Sequence, residues 1–115
     1  MDKECIRICD AINRIPGVKT VESCCGHGRH EFDVWVRVTD LRKLPILLYY
    51  LDPCHVGFRW HCIAKTDCAM SYPTFNVCSE STGDKSYDEA NIIADRINEF
   101  FDSDEYSRVF YKEKR

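Results

Sequence analysis

Eight consecutive positions, Ser23-Cys24-Cys25-Gly26-His27-Gly28-Arg29-His30, hold two thiols, two imidazoles, a guanidinium and two glycines. Three chemistries use these side chains. A thiolate beside an imidazole attacks carbonyls or oxidised sulfur, so Cys24, Cys25 and His27 are the candidate catalytic residues. Glu22 and Glu31 are the only carboxylates close by in sequence that could orient the imidazole. Thiolates and imidazoles also ligate zinc. No metal site is predicted outright, because no cysteine pair has two-residue spacing and adjacent cysteines rarely aim both sulfurs at one ion. A zinc ion, if present, would take Cys24, Cys25, His27 and His30, with Cys54-His55 and His61-Cys62 downstream as further donors. The third chemistry is anion binding. A glycine turn after a strand can offer successive N–H groups to phosphate or carboxylate, and His27, Arg29 and His30 add positive charge.

The elements that must carry this stretch follow from periodicity. Cys5, Ile8, Cys9 and Ile12 recur at helical spacing and predict a helix over about residues 2–14, closed by Pro16-Gly17. Residues 18–23 form a short strand. In residues 31–39, Phe32, Val34, Val36 and Val38 alternate with Asp33, Trp35 and Arg37, which predicts a half-buried strand. A second helix is expected after Thr39 or Asp40, with Leu41, Leu44, Leu47, Leu48 and Leu51 on one face and Pro45 giving it a late start or a kink. Strands are expected at about 57–65 and 74–79, joined by a hairpin connection over 66–73. Residues 79–85 read as a polar loop, and Ser86-Tyr87-Asp88-Glu89 as a capping box. It opens the most amphipathic helix, which carries Ala90, Ile93, Ala94, Ile97, Phe100 and Phe101. Residues 102–115 hold one more helical turn and a frayed tail.

The order α-β-β-α-β-β-α predicts an α+β two-layer sandwich in one domain, 1–115, with helices on one face of a mainly antiparallel sheet. Phe32, Val34, Val36 and Val38 then face the helices, together with Phe58, Trp60, Cys62 and Ala64. The opposite face carries Asp33, Trp35 and Arg37 on one strand, Arg59, His61 and Ile63 on the next, and Asn76 and Cys78 beside them. Aromatic and guanidinium groups on an open sheet can stack bases and neutralise phosphate.

Composition narrows the classes. A net charge of −3 provides no general attraction to nucleic acid or anionic lipid, so any such binding needs a local basic patch. No apolar run is long enough to span a membrane. Met1-Asp2-Lys3-Glu4 leads into an amphipathic pattern rather than a signal peptide, so a cytoplasmic setting is expected and the eight cysteines read as free thiols.

The stretch Ile12-Asn13 … Thr20-Val21-Glu22-Ser23-Cys24-Cys25-Gly26 resembles the start of the methyltransferase family that acts late in wybutosine synthesis on phenylalanine tRNA. There a helix, a turn and a strand lead into Ser-Cys-Ser-Gly and a basic residue; here Ser23-Cys24-Cys25-Gly26 matches, with His27 at the basic position. The resemblance covers about the first 40 residues and implies a shared fold, with S-adenosylmethionine as the cofactor it would bring. Ile15-Pro16-Gly17 and Ser23-Cys24-Cys25-Gly26-His27 are also similar to short uncharacterised phage and bacterial proteins with an Ile-Pro-Gly … Ser-Cys-x-Gly-His pattern.

The expected function is binding of an anionic ligand, a nucleotide or a piece of RNA. Its binding residues are Ser23, Gly26, His27, Gly28, Arg29 and His30 in the loop and Trp35, Arg37, Arg59 and His61 on the sheet. A thiol- or zinc-dependent enzyme at the same loop is the alternative. A third reading makes the Trp35 face a protein-interaction surface, for example a homodimer contact.

Overall fold

The computed structural model describes residues 1–65 and 72–110. Helix α1 spans Lys3–Ile12, strands β1 and β2 span Val18–Cys24 and Glu31–Val38, and helices α2 and α3 span Leu44–Tyr49 and Pro53–Val56. Strands β3, Trp60–Lys65, and β4, Thr74–Thr82, follow, then helices α4, Gly83–Asp102, and α5, Glu105–Val109. The strands form one antiparallel sheet in the order β1-β2-β4-β3. This is the α+β sandwich that the alternation predicts.

One parity of each central strand is apolar, so one face of the sheet is driven out of water. Phe32, Val34, Val36, Val38, Val77 and Trp60 are all buried there. The helices cover that face: α1 packs on β1 and α4, and α4 packs on β4 and β2. Cys5, Ile8, Cys9 and Ile12 of α1 meet Ala90, Ile93, Ala94 and Ile97 of α4 in the same core. The rim of this helix pair carries the exposed ion pairs Arg7–Asp95 and Arg14–Asp102, contacts that contribute little stability at a solvated surface.

Several expectations are corrected. Residues 79–82 belong to β4, and α4 begins at Gly83, so Ser86-Tyr87-Asp88-Glu89 does not open the helix. Ser86 lies within the first turn and donates its hydroxyl to the Gly83 carbonyl at 2.7 Å. Glu89 serves tertiary structure instead, accepting from Trp60 Nε1 at 3.0 Å and Ser81 Oγ at 2.6 Å. Pro45 does delay α2: a 3₁₀ turn over Leu41–Lys43, capped by Asp40, precedes it. Leu44, Leu47 and Leu51 are buried, whereas Leu41 and Leu48 point to solvent. Asp52-Pro53 starts a short helix, with the Asp52 carboxylate on the Cys54 N–H, rather than only ending one. Ala64, expected to face the helices, is exposed near the end of β3, an edge strand. The hairpin connection expected at 66–73 lies mostly outside the described residues, as does the tail beyond 110. No helix among the described residues is long and apolar enough to cross a membrane.

Candidate functional site

Two features converge on β1 and β2: the loop that joins them and the sheet face away from the helices.

In the loop, Gly26, His27 and Gly28 all have positive φ, at 81°, 52° and 80°. Only glycine fits at 26, where a Cβ would lie 2.8 Å from the Glu31 carbonyl oxygen. His27 is the sole non-glycine residue with positive φ among the described residues. Such a conformation persists where surrounding contacts hold it. Those contacts involve the thiols. Cys24 Sγ accepts the Gly26 N–H at 3.4 Å, and Cys25 Sγ accepts the His27 N–H at 3.4 Å. Arg29 and His30 donate their N–H groups to the Gly26 carbonyl, each at 3.0 Å. The loop thus closes on itself, and the N–H groups expected to cradle an anion at Gly26 and His27 serve sulfur.

The buried Cys25 thiol lies 3.8 Å from His27 Nδ1 and 3.9 Å from the Tyr87 hydroxyl of α4. Asp2 comes from the residue before α1. It sits at the N-cap position but makes no side-chain cap bond there. Its Oδ2 accepts the Cys25 N–H at 3.1 Å instead and lies 4.0 Å from His27 Nε2. The Cys25 N–H, aided by the nearby His27, holds the Asp2 carboxyl below the usual carboxylate range. Asp2, Cys24 and His27 each place a ligand atom within 4.8 Å of the others. The four-residue set expected for zinc is therefore not the one assembled. Cys24 and His27 meet, Asp2 joins them, and Cys25 and His30 stand outside. The carboxylate within 4.0 Å of the His27 ring is likewise Asp2, which is not one of the sequence neighbours Glu22 and Glu31.

Strand register orders the open face into rows. Lys19, Arg37, Thr74 and Lys65 are successive partners across all four strands. Glu22, Trp35, Asn76 and Ile63 form the next row, and Cys24, Asp33, Cys78 and His61 the third. A bulge at Val21 keeps Glu22 and Cys24 on this face. Arg37 Nε is buried without a hydrogen-bond partner among the described residues. It lies beside a cleft of about 580 Å³ lined by Pro16, Lys19, Arg37, Thr39 and Tyr72, among others. A second cleft, about 440 Å³, follows the β1 edge past Trp35, Asp33, Glu22 and Cys24 to Met1. Burial and the neighbouring Glu22 push the Asp33 carboxyl up. The face is thus basic at one end and acidic toward the other.

The remaining expected site residues are dispersed. Ser23, opposite Val34, lies on the helix-facing side of β1 and is half-buried, and it also borders the cleft along the β1 edge. His61 stays on the open face, in the row of Asp33 and Cys78, and pairs there with Glu80 at 2.7 Å. Arg29, His30 and Arg59 are exposed. Asp2, Lys19, Lys65, Tyr72 and Tyr87 are the residues that the sequence reading missed. The alternation of β2 places Arg37 on the open face, but which residues of β1 and β3 lie across from it depends on the strand register. Nothing in the linear order connects Asp2 or Tyr87 with Cys25.

No protein-family model matches this chain, and neither a curated protein nor a solved structure does.

Proposed function

We propose that the open sheet face binds a nucleotide or a short single strand of RNA. The observation that carries this reading is the row Lys19–Arg37–Thr74–Lys65 lying directly beside the row that holds Trp35. Three cations in register would neutralise phosphate despite the overall charge of −3. Trp35, half-buried at the centre of the face, offers a ring on which a base stacks. A buried N–H without a partner is unfavourable by about 1–3 kcal/mol, and a phosphate oxygen would relieve it at Arg37. Arg29 and His30 sit past the other end of the β1–β2 hairpin. From Asp33 to Arg37 the strand advances about 13 Å. The loop would therefore meet a different part of the ligand than Arg37 does.

The test is a titration of tryptophan fluorescence with nucleoside phosphates and short RNAs, with inorganic phosphate as a separate arm. Saturable binding is expected, with affinity falling as salt rises. Trp35→Ala should weaken RNA binding by about 1–3 kcal/mol, the loss of one stacked base. Arg37→Gln should weaken it and make the salt dependence shallower by roughly 0.7 in slope, as expected when one phosphate of a single strand is no longer neutralised. No saturable binding, or binding indifferent to both substitutions, overturns the reading. Exposed Ile63 also lies on this face, and exposed Val21 borders both clefts. If the protein instead forms a dimer that Trp35→Ala dissociates and RNA leaves intact, the face is a subunit contact.

A further inference from the structure

We infer that Asp2, Cys24 and His27 form a site for a single divalent cation of the zinc class, with one coordination position left to water. The inference is independent of the nucleotide reading. The three donor atoms lie within 4.8 Å of one another, and His27 Nε2 is 4.0 Å from Asp2 Oδ2. Tetrahedral zinc with bonds of about 2.0–2.3 Å separates its ligand atoms by about 3.3–3.8 Å. Small side-chain rotations close that difference. His27, whose side chain is 69 % exposed, and Asp2, at 30 %, have room to make them. A set of one sulfur, one imidazole nitrogen and one carboxylate oxygen suits a borderline-soft ion rather than magnesium or calcium, which prefer oxygen alone.

The surroundings of each ligand carry the argument beyond proximity. Metal ligands are ordinarily held by a second layer of contacts that fixes their orientation. All three residues have one here. Asp2 Oδ2 accepts the Cys25 N–H at 3.1 Å, Cys24 Sγ accepts the Gly26 N–H at 3.4 Å, and His27 Nδ1 lies 3.8 Å from Cys25 Sγ. The last contact leaves Nε2 as the ring nitrogen that faces Asp2. His27 has a left-handed backbone between two glycines, and its ring lies within 4.8 Å of the Cys24 and Asp2 donor atoms. Asp2 leaves its own helix uncapped and turns to the loop. Three protein ligands are one fewer than a closed structural zinc site uses, and zinc held by three protein ligands carries water in its fourth position. Cys24 also lines the cleft that runs along β1 to Trp35, so that position is open to a ligand in the cleft.

Cobalt(II) titration of the tag-free, chelator-treated protein tests the site, because tetrahedral cobalt has strong visible bands and a thiolate ligand adds a near-ultraviolet charge-transfer band. One equivalent of cobalt should bind, show both features and be displaced by zinc. Cys24→Ser should abolish the charge-transfer band. His27→Asn, which tolerates the left-handed backbone, and Asp2→Asn should each weaken binding at least tenfold. His30→Ala and Cys54→Ser should leave the spectrum unchanged. Circular dichroism checks that every variant is folded, and His27→Asn, altered at an exposed side chain, decides the matter if another is not. Absence of stoichiometric binding overturns the inference. So does a charge-transfer band that survives Cys24→Ser, or binding that His30→Ala removes and His27→Asn does not.

Discussion

The indole N–H of Trp60 donates to the carboxylate of Glu89 at 3.0 Å, joining β3 to α4 inside the core. The same carboxylate oxygen accepts the Ser81 hydroxyl at 2.6 Å. Phe32 packs against the indole with ring centroids 5.5 Å apart. Trp60→Ala should therefore destabilise the protein by about 3–5 kcal/mol, as emptying an aromatic core site does. Glu89→Leu strands the buried indole N–H and the part-buried Ser81 hydroxyl and should lose about 1–3 kcal/mol. Urea denaturation measures both, and a Trp60→Ala midpoint matching the parent would refute the packing described.

Trp35 provides the contrast. It stands on the opposite parity, between Glu22 and Asn76, and is not buried as Trp60 is. Trp35→Ala should change stability by about 1 kcal/mol or less, the scale of cross-strand pair contributions. The same denaturation series tests this. If the two tryptophans exchange their effects, the strand register is wrong by one residue.

Two glycines in the loop should respond differently to alanine. Gly26 and Gly28 share a left-handed backbone, so either substitution introduces strain of about 1–2 kcal/mol. At Gly28 the new methyl meets nothing within 4 Å, whereas at Gly26 it meets the Glu31 carbonyl at 2.8 Å. Gly26→Ala should be the more destabilising by a clear margin in thermal melts, and should also disturb the cobalt spectrum. Equal melting temperatures for the two variants would contradict the loop geometry.

The buried Cys5 and half-buried Cys62 thiols predict an alkaline limit. Burial pushes Cys5 from about 9 up to about 11, against the smaller opposing effect of the Ser23 hydroxyl, and burial does the same to Cys62. Between these values the unfolded chain releases protons that the folded chain retains. The unfolded state then binds fewer protons, so stability falls as pH rises through this window. Below about 9 both states hold the thiol protons, and the effect is absent. Cys62→Ala should flatten the decline in a series of melts from neutral to strongly alkaline pH. An unchanged slope would show that Cys62 ionises equally in both states.

Local pattern determined much of this protein. The alternation in residues 31–38 assigned Phe32, Val34, Val36 and Val38 to the core and Asp33, Trp35 and Arg37 to the other face, because side-chain direction in a strand has a period of two residues. The helical spacing of Cys5, Ile8, Cys9 and Ile12, and of Ala90, Ile93, Ala94 and Ile97, likewise named the two surfaces that cover the sheet. The density of thiols, imidazoles and glycines at 23–30 marked the loop as chemically unusual. The true start of α4 escaped because Ser86 and Glu89 have capping-box identities, yet Glu89 is held by Trp60 and Ser81, residues whose nearness depends on how β3 and β4 pack. Only the tertiary structure brought Asp2 to Cys24 and His27, turned Ser23 inward and aligned Lys19 with Arg37 and Lys65. Such groupings arise from sheet register and helix docking, which join residues far apart in the chain. Local periodicity describes the face a residue occupies, and packing decides which residues meet there.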